Sequence, residues 1–145
     1  MATMGFQPFD MNGVHVVHLP AHATPTFKKG DAVYITSGTV QTANSDQTVF
    51  GVAAADGVAS ASTPVYVADP SSVWVGSLDT TSVATCAGAK YGLNIGTPGS
   101  MSIDYADTST TSVRVIDLHP ADGAKALGRL LFCWRTKAIQ NDGAA

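Results

Sequence analysis

The chain contains no glutamate, so all 11 of its acidic residues are aspartate. Glutamate is a good helix former, whereas the short aspartate side chain competes for nearby backbone groups and favours caps and turns. The rest of the composition points the same way. Branched Thr and Val suit a pleated surface, and Gly, Ser and Asp suit the turns between strands. Alanine is the one helix former in quantity, and it mostly stands beside Gly, Ser or Thr. The expected fold is all-β, either a small antiparallel β-barrel or a two-layer β-sandwich with an extended N-terminal arm.

Residues 27–57 (FKKGDAVYITSGTVQTANSDQTVFGVAAADG) carry the clearest local pattern. Lys29-Gly30-Asp31 turns into a strand over 32–36, and Ser37-Gly38 is a two-residue hairpin signal. Residues 39–42 return, Asn44-Ser45-Asp46 turns again, and 49–54 make a third strand, which together read as a meander. Residues 64–68 and 73–78 alternate at period two around Asp69-Pro70-Ser71-Ser72, which predicts a second hairpin. A third flanks Gly96-Thr97-Pro98-Gly99, pairing 91–95 with 101–105. Residues 14–19, 112–118 and 127–136 complete a set of about ten short strands, consistent with a closed barrel or a sandwich. The segment 80–89 reads as a loop or one short helical turn.

At 145 residues the chain suits one domain that can bury a core without disulfide staples. Residues 1–13 (MATMGFQPFDMNG) read as an extended arm, because Gly5 and Pro8 break any helix and the apolar anchors Met4, Phe6, Phe9 and Met11 keep no period. Residues 14–136 form the β domain, and 137–145 a flexible tail. On this reading, deleting 1–13 leaves the domain folded. The first ten residues lack the positive charge and apolar run of a signal peptide, which points to synthesis in a reducing cytoplasm.

Charged residues are only 13% of the chain, against roughly a quarter in ordinary soluble domains. A surface kept soluble by hydroxyls is cheaper to desolvate than one covered in ions, which suits a protein covered by neighbours and equally a neutral secreted domain. The net charge of −3 and the scatter of the 8 basic residues along the chain argue against a nucleic-acid partner. No apolar run approaches a membrane span of roughly 18 residues.

Catalytic and metal-binding patterns are missing. His15 and His18 are three apart on a strand and point to opposite faces, so with His22 they make no zinc site. His119 has no evident partner. Asp104 with Asp107 and Asp117 with Asp122 are the carboxylate pairs that glycoside or aspartyl chemistry would need. Each, however, stands where a turn wants an Asx cap. Neither a nucleophile elbow nor a phosphate loop occurs. Cys86 and Cys133 form no CxxC, and Cys133 alternates within an apolar strand, as an inert thiol would. No catalytic residue, metal ligand or cofactor is expected. Trp74, and Trp134 beside Arg135, are either core residues or anchors of a protein interface, where Trp and Arg are enriched. With Met4, Phe6, Phe9 and Met11 they make up the candidate partner-binding residues.

The combination of Gly-Asp-Ala-Val-Tyr-Ile, the Ser-Gly hairpin and Val-Phe-Gly-Val-Ala before Asp-Gly resembles the head decoration (cement) proteins of tailed bacteriophages. So do Thr-Pro-Val-Tyr-Val-Ala, Val-Trp-Val-Gly and Ser-Val-Arg-Val-Ile-Asp before the last apolar strand. The resemblance covers roughly residues 27–136. It implies a virion protein on the capsid exterior that clamps neighbouring copies of the major capsid protein after expansion, as a homo-oligomer, expected to be a trimer. The other classes in view are a phage tail, fibre or baseplate component, a carbohydrate-binding β module, a hydrolase using Asp104 or Asp117, and an oligonucleotide-binding barrel.

Overall fold

The computed structural model describes residues 5–45 and 48–140, and of Lys137 only the backbone. The Ser37-Gly38 signal makes the turn it promises. Ser37 at φ +48° and Gly38 at φ +79° are the consecutive left-handed residues that a type I′ turn requires. They join β3 (Ala32–Thr36) to β4 (Thr39–Thr42), with Thr36 opposite Thr39 and Val33 opposite Thr42. β5 (Gly51–Ala53) then pairs with the other edge of β3, Ala32 facing Val52, so the segment is not the expected meander. The outer edge of β4 is already occupied: Ala21 bridges Val40, and the His22 N–H donates to the Val40 carbonyl at 2.9 Å.

That contact curls the first sheet on itself. Its order is β2-β6-β5-β3-β4, with β2 at Val16–Pro20 and β6 at Ser62–Val67. The residues between β2 and β3 return to β4. The small core so enclosed holds Ala21, Phe27, Val33, Val40, Ala53 and Val65, with Val17, Leu19 and Phe50 against it.

The second sheet has the order β1-β7-β11-β10-β8-β9. Its strands are β1 (Phe6–Pro8), β7 (Trp74–Ser77), β8 (Lys90–Asn94), β9 (Ser102–Asp104), β10 (Val113–Leu118) and β11 (Arg129–Trp134). It curls in the same way, because Leu78 bridges Ile103 and the Asp79 N–H donates to the Ile103 carbonyl at 3.0 Å. The hairpin β8–β9 forms as its turn residues predict, and β10 pairs with β11 beyond the turn at 119–123. The hairpin expected between β6 and β7 does not. β6 lies between β2 and β5, and β7 between β1 and β11, so both edges of each are taken. Asp69-Pro70-Ser71-Ser72 instead carries the chain from one sheet to the other.

Alternation in β3 and β5 ties the sheets together. Val33 and Ala53 face the small core, while Ala32 and Val52 face a larger one shared with the second sheet. That larger core contains Trp74, Leu78, Ile103, Leu130, Phe132 and Trp134. All-β architecture in two antiparallel sheets is therefore the fold. A 3-10 turn at Ala84–Cys86 fills the segment read as loop or helical turn. Among the described residues no helix is long and apolar enough to cross a membrane.

Both expected domain limits move. β1 is a strand of the second sheet, with Phe6 opposite Gly76. A side chain on Gly76 would meet the Phe6 ring at 2.8 Å, so the glycine makes room for that ring. At the other end Ala138 is buried and a second 3-10 turn (Thr136–Ala138) leads to Gln140. The Gln140 side chain accepts from the Ile35 N–H at 2.8 Å and donates to the Ile35 carbonyl at 2.9 Å, acting as a one-residue strand partner. The chain is thus latched to β3 beyond the point where the tail was expected to begin.

Candidate interaction surfaces

Each described aspartate accepts a backbone N–H. Asp10, Asp69, Asp104 and Asp107 cap residues two positions on, as Asx turns do. Asp117 takes the N–H of Leu118. Asp56, Asp79 and Asp122 reach Lys29, Tyr105 and Arg129. Asp31 is wholly buried and binds the N–H of Lys28 and of Gly99. A short carboxylate fits these positions and a longer one overshoots, which gives the missing glutamate a physical meaning.

Electrostatics follow from these partners. The Arg129 guanidinium, reinforced by the Arg129 N–H, holds the Asp122 carboxyl far below the usual range. The Thr110 hydroxyl lowers Asp107, and the Ser71 N–H lowers Asp69. Asp31 runs the other way: burial pushes it up, against the pull of its two backbone donors. Two histidines serve turns as the aspartates do, His22 Nδ1 accepting from the Thr24 N–H and His119 Nδ1 from the Ala121 N–H. Among the described residues no three His, Cys or Asp side chains gather where a metal could sit. Both cysteines are free thiols, Cys86 buried and Cys133 half-buried.

The candidate interface residues separate into two groups. Phe6, Trp74 and Trp134, at 1%, 0% and 1% exposure, are core residues and not surface anchors. Their rings meet edge to face, Trp74 on Trp134 at 5.8 Å and Phe6 on Trp134 at 6.0 Å, an arrangement that aromatic quadrupoles favour. The cause of the correction is parity. Trp74 faces inward on β7, and Trp134 faces inward with Phe132 and Leu130 on β11. Both indole N–H groups lack an acceptor among the described residues, so aromatic packing holds them in place of a hydrogen bond.

Phe9 and Met11 are exposed, at 49% and 52%. The Phe9 ring stands edge-on to His119 at 5.7 Å, and Met11 lines a cavity of about 230 Å³ with Pro8, Lys29 and Tyr66. Met4 lies outside the described residues. Arg135 is half-buried, with Nη1 donating to the Thr111 hydroxyl and carbonyl.

A second surface joins the expected Arg135 to two cations that the sequence reading did not single out. Lys90, Arg114 and Arg135, distant in the chain, line one open groove of about 450 Å³ with Pro70, Cys133 and Thr136. Register creates it: Arg114 lies opposite Lys90 on one side and Cys133 on the other. The one sequence signal was the outward parity of Arg114 within Ser-Val-Arg-Val-Ile-Asp, which gave no hint of its neighbours.

The two-sheet fold and these two surfaces describe an all-β protein whose described aspartates each accept a backbone N–H. No family model, curated protein or solved structure matches this chain.

Proposed function

We propose that the protein is a non-catalytic virion component that binds the outer surface of a phage capsid and stabilises the expanded shell by clamping neighbouring major capsid subunits. The observation that carries the non-catalytic part is the engagement of every described aspartate by a backbone N–H, with Asp122 also held by Arg129. These contacts account for the aspartates as caps and ties of the fold, with no chemical role needed to explain their placement. The capsid part rests on the resemblance of residues 27–136 to decoration proteins, and the exposed Phe9 and Met11 supply apolar contact beside the chain's N-terminal segment.

Binding as a trimer would link weak contacts into one object, gaining about 10²-fold or more in avidity. Preference for the expanded shell stabilises that shell by mass action, without chemistry. The test is sedimentation of the purified protein over a range of concentrations, followed by co-sedimentation with expanded and unexpanded heads of the phage that encodes it. A trimer with saturable binding to expanded heads supports the reading. Failure to bind either head, with saturable binding to a glycan, replaces it with a carbohydrate-binding module.

A further inference from the structure

We propose that the groove over β8, β10 and β11 is the docking site for a short, extended, acidic segment of a partner protein, held by Lys90, Arg114 and Arg135. The proposal deepens the protein-binding reading above and rests on it.

The first observation is the placement of charge. Lys90 and Arg114 are directly opposite on neighbouring strands, and both are exposed. Like charges facing each other across a sheet are destabilising, so folding alone gives no reason for the pair. The chain has more acidic than basic residues, 11 against 8, and does neutralise cations elsewhere. Among the described residues the ion pairs are those of Lys125 and Arg129 with Asp122. None reaches Lys90 or Arg114. Asp69, next to the groove residue Pro70, is engaged by Ser71, Asp107 by Thr110, and Asp117, close to Arg114 in sequence, by the Leu118 N–H.

The second observation is preorganisation. Arg135 enters the groove with Nη1 already fixed by Thr111, so a ligand need not order that side chain from a free state. The strands beneath are hydrogen-bonded neighbours, with Cys133 beside Arg114 on the side away from Lys90 and its thiol directed at the Arg114 carbonyl at 3.8 Å.

Charge complementarity selects the occupant. Carboxylates on alternate residues of an extended chain recur about every 6.7 Å, a spacing the long Lys90 and Arg114 side chains can follow from adjacent strands. A long polyanion such as a nucleic acid must also approach the rest of a surface whose net charge is −3. A short acidic segment presents its charge to the groove alone.

Cys133 supplies the test, because Cys86 is fully buried and the groove thiol is the accessible one. Alkylation of the native protein by iodoacetamide is followed with three competitors. These are a heptapeptide with aspartate at alternate positions, its asparagine counterpart, and a single-stranded oligonucleotide of equal charge. The expected result is severalfold protection by the aspartate peptide, weakening with salt, and none by the asparagine peptide. K90S/R114S abolishes that protection, while K28S, away from the groove, retains it. Absence of protection at millimolar peptide, equal protection by the oligonucleotide, or full protection of K90S/R114S overturns the proposal. Wild-type protein that fails to bind heads but is protected by the peptide overturns the capsid reading and sustains this one. Protein that binds heads but is not protected overturns only this one.

Discussion

Both carboxylate oxygens of Asp31 accept the backbone N–H of Gly99, at 3.0 and 2.9 Å, across 68 residues of chain. The same side chain takes the Lys28 N–H at 2.8 Å, so one buried group ties the entrance of β3 to the β8–β9 turn. The two sheets are stitched at this point by a carboxylate as well as by the shared apolar core.

Asp31→Ala should therefore destabilise the fold by about 2 kcal/mol, since it removes the acceptor of the Lys28 and Gly99 N–H groups. Asp31→Asn, which keeps one acceptor, should cost less. The pH dependence has a definite sign. The folded-state pKa is raised by burial, so this group's contribution is fully present below its ordinary pKa of about 3.9 and is lost as pH rises through the higher folded value. Denaturant unfolding of wild type and Asp31→Asn at a series of acidic pH values checks both statements. Wild type should gain on the variant as pH falls through that window.

Asp122 predicts the opposite slope. Its carboxylate receives Arg129 Nε at 2.9 Å, Nη2 at 2.8 Å and the Arg129 N–H at 2.8 Å. The folded pKa is depressed, so the stabilisation is present above about 3.9 and lost as pH falls toward the folded value. Asp122→Asn should cost about 1–2 kcal/mol near neutrality, with partial exposure of Arg129 limiting the loss. Thermal melts of the variant should lose less on acidification below pH ~4 than those of wild type.

Phe6 sits in the shared core against Phe132 at 6.1 Å and Trp134 at 6.0 Å. Phe6→Ala should destabilise by about 3–5 kcal/mol through loss of burial and the cavity left behind. Deletion of residues 1–13 removes that ring together with the strand paired to β7, and should unfold or severely weaken the protein. This reverses the expectation drawn from the sequence. Circular dichroism and tryptophan emission after deletion decide the matter, because an unfolded chain exposes both indoles and shifts their emission to the red.

What was legible in the sequence was local. The Ser37-Gly38 turn, the β8–β9 hairpin and the Asx caps at Asp104 and Asp107 depend on residues a few positions apart. The pairing of β1 with β7, the closure of β4 by Ala21 and the reach of Asp31 to Gly99 depend on which strand edge is free after the others have paired. A three-residue strand such as Phe6–Pro8 has no period to detect, so its phenylalanine read as a surface anchor. The groove cations were hidden for the same reason: Lys90 and Arg114 become neighbours through register alone.

Of the described expected anchors, Phe9 and Met11 remain exposed where Phe6, Trp74 and Trp134 are not, which puts the proposed apolar contact on these two side chains. The Phe9 backbone is fixed by its N–H to the Val73 carbonyl at 2.9 Å, and Met11 accepts at its carbonyl from the Val14 N–H at 3.1 Å. Side-chain replacement there leaves both backbone contacts intact. Phe9→Ser with Met11→Ser should shift folding stability by about 0.5 kcal/mol or less per site, as exposed substitutions do. If this face contacts a neighbouring copy or a capsid subunit, the same pair should reduce self-association and binding to expanded heads together. Sedimentation of the variant beside its melting curve separates the two effects. An unchanged melt with weakened association places the interface at this face, whereas unchanged association moves it to another part of the surface.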